Sequence, residues 1–186
     1  MKLPMLLVLA PAALLTAGAD SDWPRFRGPE GTGVSPETRW LGAWPGGQPK
    51  VVWKANVGAG FSSVTLADGR LFTLGHNGQK DNGIDSVVAI DVASGKELWR
   101  HSYPEKLADH YYEGGTSGTP TLDGGKVYTL SKAGVALCLD AATGKVLWQY
   151  NMPSGVTAVP SSYEVNGEQY IAVQAGWGID AQRMQS

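Results

Sequence analysis

The sequence has a single cysteine, Cys138. An exported chain with one cysteine forms no internal disulfide, so its folded state rests on burial and hydrogen bonding. Charge of one sign is also missing: 15 basic residues stand against 17 acidic ones. No basic stripe exists that could neutralise a row of phosphates, which excludes nucleic-acid binding. The Trp23-Pro24-Arg25-Phe26-Arg27 segment interleaves aromatic and basic side chains, but two arginines make no electrostatic footprint. Regular helix signals are absent. So are a Gly-x-Ser-x-Gly nucleophile elbow and a glycine-rich phosphate loop leading into a helix.

Long hydrophobic runs are absent too. The longest lies between Leu3 and Leu15, interrupted by Pro4 and Pro11, short of the roughly 20 apolar residues needed to span a bilayer. It follows a basic Lys2 and precedes Ala17-Gly18-Ala19, a small-residue cleavage pattern. Residues 1–19 therefore read as a secretory signal peptide. The next residue is Asp20, not cysteine, so lipid attachment there has no support. The expectation is a secreted protein without a membrane anchor, periplasmic if the source bacterium has an outer membrane.

What is abundant is glycine, 25 of 186 residues, and repetition. Trp53, Trp99 and Trp148 recur at spacings of 46 and 49 residues, and the last two close similar phrases. One is Ala89-Ile90-Asp91-Val92-Ala93-Ser94-Gly95-Lys96-Glu97-Leu98-Trp99, the other Cys138-Leu139-Asp140-Ala141-Ala142-Thr143-Gly144-Lys145-Val146-Leu147-Trp148. Self-similarity at about 40–50 residues with a fixed turn and tryptophan is the signature of propeller blades.

Strand by strand, the first repeat runs Phe61–Leu66, an Asp68-Gly69 turn, Arg70–Leu74, a polar loop Gly75–Asp85, Ser86–Ile90, and an outer strand Lys96–Arg100. Asp-Gly favours a tight hairpin because glycine accepts positive φ. The second repeat runs Thr119–Leu122, Lys126–Leu130, Val135–Leu139 and Lys145–Tyr150. A third begins at Thr157–Tyr163, turns at Asn166-Gly167 and continues through Glu168–Val173. The fold class is all-β, a partial β-propeller of four-stranded blades: two full blades plus an incomplete third. Residues 20–50 form an N-terminal extended segment. Residues 51–152 hold a lone outer strand around Trp53 followed by both blades, and residues 153–186 are a truncated third blade. Closed propellers use about 4–8 blades, so two blades leave open edges and uncovered apolar faces. The chain is a fragment of a longer protein, or a protomer whose edges are met by other copies of itself or by a protein partner.

The phrase Ala-x-Asp-x-x-x-Gly-x-x-x-Trp, as in Ala89, Asp91, Gly95 and Trp99, resembles the tryptophan-docking motif of pyrroloquinoline-quinone (PQQ)-type propeller repeats. The resemblance implies that Trp99 and Trp148 dock blade on blade, with Asp91, Gly95, Asp140 and Gly144 shaping the turns. Cys138 replaces the motif's alanine and packs as a small hydrophobe. The opening Asp22-Trp23-Pro24-Arg25-Phe26-Arg27-Gly28-Pro29 is similar to the start of exported PQQ-like repeat proteins named after the outer-membrane assembly propeller. Residues 153–186, including Gly167–Gly178 with Trp177, resemble the last blade of quinoprotein alcohol dehydrogenases, so the junction at Met152-Pro153 joins a second blade directly to something like a final one.

Fold does not carry function. The enzymatic alternative, a PQQ-dependent quinoprotein alcohol dehydrogenase or its remnant, implies PQQ with calcium or a lanthanide, carboxylate and amide ligands, an aspartate base, and typically a vicinal disulfide. One cysteine excludes that disulfide, and no motif assigns the metal or base. No cofactor and no catalytic residue are expected for the chain alone. His76–Asp85 carries oxygen donors but misses the EF-hand spacing and reads as an extended hairpin loop. The connection between the blades, His110, Tyr111, Tyr112 and Glu113, is the candidate contact loop, since binding residues concentrate in such connections.

Overall fold

The computed structural model describes residues 22–38, 42–107, 113–156 and 160–176. The expected signal peptide and Trp177 lie outside these, as do His110, Tyr111 and Tyr112 of the contact loop.

The described residues form ten strands and one short 3-10 turn at Pro45–Gly47. The first blade is an antiparallel sheet of β1 (Thr65–Ala67), β2 (Arg70–His76), β3 (Ile84–Asp91) and β4 (Glu97–Pro104), in chain order. The second repeats it with β5 (Thr121–Asp123), β6 (Lys126–Leu130), β7 (Val135–Asp140) and β8 (Val146–Asn151). β9 (Ser161–Val165) and β10 (Glu168–Ala172) make a separate hairpin in which every residue is exposed. The protein is an all-β partial propeller.

The hairpin turns follow the sequence. Asp68 and Gly69 have φ of 52° and 69°, and Asn166 and Gly167 have 54° and 80°. Two successive positive φ values match the right-handed twist of flanking strands. Each outer strand begins with an irregularity in register, between Ala89 and Ile90 in the first blade and between Cys138 and Leu139 in the second.

One expectation needs correction. The loop read as Gly75–Asp85 is shorter, because β2 continues through His76 and β3 starts at Ile84, with Gly75 paired to Ser86 and His76 to Asp85. Both pairings continue the backbone ladder, so the strands extend. The lone outer strand around Trp53 pairs with no strand among the described residues.

The core lies between the two blades. Residues directly opposite in an antiparallel pair share a face, which puts Phe72 and Leu74 of β2, Val87 and Ala89 of β3, and Tyr103 of β4 on one side of the first sheet. They cluster with Val127, Leu137 and Leu139 of the second blade, all at most 8% exposed. The N-terminal segment ties the inner strands together. Trp23 exchanges both backbone hydrogen bonds with Leu66, and the Leu122 N–H donates to the Pro24 carbonyl.

Candidate functional site

Three features of the blade faces could carry function, and the strand register places each of them. The first is the turn before each outer strand. In the first blade the Asp91 Oδ1 accepts from the Ser94 N–H at 2.8 Å and from the Ser94 hydroxyl. In the second, the Asp140 Oδ1 accepts from the Thr143 N–H at 2.8 Å and the Thr143 hydroxyl at 2.7 Å. These bonds, the hydroxyl first, hold both carboxyls below the usual carboxylate range. The turn then returns through a glycine at positive φ: Gly95 at 70° and Gly144 at 71°.

A tryptophan lies on each glycine. The Trp99 indole of the first blade covers Gly144 of the second, where an added Cβ would sit 2.6 Å from Cδ2. Its Nε1–H donates to the Ala141 carbonyl at 3.0 Å. Trp53 covers Gly95 in the same way, 2.5 Å from a would-be Cβ, with Nε1–H donating to Val92 at 2.8 Å. The acceptors, Val92 and Ala141, each follow the turn aspartate by one residue. The arrangement therefore joins Asp91 with Gly95 and Asp140 with Gly144, and sets Trp99 across the blade boundary. Trp148 differs: it is 55% exposed and stacks on Tyr150 of its own strand with centroids 6.2 Å apart. No blade among the described residues lies beyond β8 to receive it.

The second feature is the face on which Trp148 sits. In the first blade Phe72 pairs with Ala89 and Ala89 with Trp99, a row across three strands. In the second, Tyr128 pairs with Cys138 and Cys138 with Trp148, the same row one blade on. The first row is covered by the second blade, with Phe72 at 1% and Ala89 at 0% exposure. The second row is open, Tyr128 at 39%. Cys138 is a free thiol, buried between its larger neighbours. The second blade thus presents exposed aromatic side chains where the equivalent row of the first blade is covered.

The third feature is polar. At the end of the blade interface away from Trp99, His76, Asp85 and Tyr103 lie side by side across β2, β3 and β4. The His76 Nδ1 accepts from the Gly78 N–H at 2.9 Å. Nε2 therefore carries the proton and donates to the Glu105 carbonyl at 3.1 Å. The Glu105 carboxylate accepts from the Ser131 hydroxyl of the second blade at 3.3 Å, and Lys132 Nζ donates to the Gly115 carbonyl at 2.8 Å. Asp85 Oδ1 and the Tyr103 hydroxyl are buried without a hydrogen-bond partner. Burial, with Glu105 adding to it, pushes the Asp85 carboxyl up to about 6 against the opposing pull of His76 and Lys132. Burial also raises the Tyr103 phenol well above its ordinary range, with Asp85 and Glu105 adding. Sequence reading missed this cluster because His76 and Asp85 bounded a segment read as loop. The period-2 register across β2 and β3 is the signal that locates it.

Glu113, the described member of the expected contact loop, is exposed. Among the described residues no three His, Cys, Asp or Glu side chains come together to hold a metal ion. No helix among them is long and apolar enough to cross a membrane.

The sequence model of a PQQ-like repeat family, described as outer membrane protein assembly factor BamB, matches residues 83–183. That is more than half the chain. The protein belongs to this PQQ-like repeat family. Among curated relatives, the PQQ-like chain is 31% identical over 144 residues to the quinoprotein alcohol dehydrogenase PedH of Pseudomonas putida, covering 77% of this chain and 21% of that one. It is 45% identical over 98 residues to the 1-butanol dehydrogenase (quinone) of Thauera butanivorans, covering 53% and 14%. The chain thus spans about a fifth or less of the length of these relatives. Among solved structures, the quinohemoprotein alcohol dehydrogenase from Comamonas testosteroni aligns at 21% identity and TM-score 0.42, over 61% of this chain and 22% of that one. BamB from Moraxella catarrhalis aligns at 18% identity and TM-score 0.31, over 67% and 45%.

Proposed function

We propose that this PQQ-like repeat protein is an exported, non-catalytic binding or scaffold module, a piece of a propeller whose open blade face receives another protein surface. One observation carries the reading: the row Tyr128–Cys138–Trp148 repeats the covered row Phe72–Ala89–Trp99 and stands open. Export rests on the signal-peptide pattern of residues 1–19.

A second reading is favoured by the relatives, whose names are those of quinone-dependent alcohol dehydrogenases. On it, the chain is part of an enzyme that oxidises alcohols with PQQ and calcium or a lanthanide. The described residues do not fit that cofactor pair. They gather no three His, Cys, Asp or Glu side chains placed to hold a metal ion, and Cys138 has no second cysteine to form a disulfide over a quinone. The His76–Asp85–Tyr103 cluster is sealed within the blade interface, with Asp85 and His76 each 2% exposed, and offers an alcohol no access.

The experiment is dye-coupled alcohol oxidation by the chain from Asp20 to Ser186, loaded with PQQ and calcium or a lanthanide. Rates equal to the no-quinone control are expected, and activity above that control would overturn the non-catalytic reading.

A further inference from the structure

Two oxygens at the polar end of the blade interface have no hydrogen-bond partner: Asp85 Oδ1 and the Tyr103 hydroxyl. Their residues are 2% and 8% exposed, so bulk water does not solvate them. They belong to one place, since Asp85 of β3 lies directly opposite Tyr103 of β4 on the same face of the sheet. Buried polar atoms are nearly always satisfied, so a pair of orphans points to a guest that both of them would contact.

The surroundings define the charge of that guest. Glu105 follows β4 and is pinned from several sides. Its N–H donates to the Gly83 carbonyl at 3.0 Å and its own carbonyl accepts from His76 Nε2 at 3.1 Å. Its carboxylate accepts from the Lys106 N–H at 3.0 Å and from the Ser131 hydroxyl of the second blade at 3.3 Å. That carboxylate is near enough to repel the one on Asp85, and both act on the Tyr103 phenol. His76 adds no charge, because its Nδ1 accepts from the Gly78 N–H and a second proton there would break that bond. Lys132 is the ammonium that acts on Asp85, and its Nζ is also bonded to the Gly115 carbonyl. With both acids ionised, two carboxylates therefore stand against one ammonium. Buried charge persists when it is paired or bound to a metal ion.

Few particles meet both demands. A water molecule would partner both oxygens but brings no charge. A proton on Asp85 removes the charge and leaves the Tyr103 oxygen without a partner. Calcium takes about 6–8 oxygens and magnesium keeps several of its waters, whereas the described residues gather no three acidic or imidazole side chains there. A bare monovalent ion supplies one positive charge and contacts both oxygens.

We propose that the polar end of the blade interface is a monovalent-cation site, where sodium or potassium is held between Asp85 Oδ1 and the Tyr103 hydroxyl oxygen beside the Glu105 carboxylate. The pocket is sealed, so the ion enters as the blades close on each other, and its binding is coupled to folding. It relieves the repulsion between Asp85 and Glu105, and Glu105 is bonded to Ser131 across the interface. Occupancy thus tightens the contact between the blades.

Denaturant unfolding of the wild-type chain near neutral pH, in sodium, potassium or choline chloride at equal ionic strength, tests the site. Choline is too large to enter, so in that salt the Asp85 charge is uncompensated. At about ten times the dissociation constant, sodium or potassium should shift the folding equilibrium about tenfold toward the folded chain. The shift should saturate as choline is exchanged for the smaller ion. Asp85→Asn and Tyr103→Phe should abolish most of it, whereas Tyr128→Phe, on the open row, should retain it. The sodium NMR resonance should broaden with the wild-type chain and not with Asp85→Asn. Equal midpoints in the three salts would overturn the proposal, as would a shift that Asp85→Asn retains. Tyr103→Phe losing the same stability in every salt would assign the place to water and also overturn it. Should either variant fail to fold, the salt series and the sodium resonance of the wild-type chain decide.

Discussion

The indole of Trp99 and the bare Cα of Gly144 meet so closely that a methyl group on the glycine would lie 2.6 Å from the ring. One residue comes from the outer strand of the first blade and the other from the last turn of the second. Their contact seals one end of an interface whose middle is aliphatic and whose far end is the polar trio His76, Asp85 and Tyr103.

Gly144→Ala should therefore cost more than the same change at Gly69. Both glycines sit in turns at positive φ, 71° and 69°, so both substitutions carry the backbone penalty of about 1 kcal/mol. At Gly69 an added Cβ meets nothing within 4 Å, whereas at Gly144 it strikes the Trp99 ring. Urea unfolding of the two variants measures the difference. Equal losses would mean that the ring moves aside freely.

Trp99→Ala and Trp148→Ala separate two residues that the sequence motif makes equivalent. Trp99 is partly buried between blades, with its N–H bonded, and its loss should cost about 3 kcal/mol. Trp148, at 55% exposure, should cost less than about 1 kcal/mol in the isolated chain. A large loss at Trp148 would show that the open face is covered by some part of the chain.

The contrast between these tryptophans marks what the sequence could reveal. Blade count, turn positions and outer strands were legible because the motif repeats and because Asp-Gly and Asn-Gly turns have local chemistry. The phrase ending at Trp148 is as complete as the one ending at Trp99, so motif reading alone gives both the same role. Burial depends on whether a further blade follows, which is a property of the assembly and not of the phrase. The polar cluster was illegible for another reason. His76 and Asp85 are hydrophilic and flank glycine- and asparagine-rich residues, so composition reads them as loop. Only the cross-strand register puts them beside Tyr103.

Asp91→Ala and Asp140→Ala should each lower the melting temperature, and Ser94→Ala and Thr143→Ala should do so by less. Each carboxylate accepts a backbone N–H and a hydroxyl, so its removal orphans the turn's donors. Both folded-state carboxyls lie below their unfolded value. Their stabilisation is thus present above the unfolded value and lost as pH falls through the folded one. Melting in acid should show the two alanine variants converging on wild type.

Asp85 works in the opposite sense. Its carboxyl is held near 6 in the fold against 3.8 when unfolded, chiefly by burial. As pH rises, the unfolded chain releases this proton first, so the stability of the neutral form is full below 3.8 and lost as pH rises through about 6. The loss across that window corresponds to about 3 kcal/mol. Asp85→Asn keeps the shape and cannot ionise, so it should lack this decline and be more stable than wild type at pH 7. The opposing acid effects of Asp91 and Asp140 persist in both proteins and cancel in the comparison. Denaturant midpoints of the pair between pH 4 and 7 test it. Parallel curves would mean that solvent reaches Asp85 and that its burial among His76, Tyr103 and Glu105 is not maintained in solution.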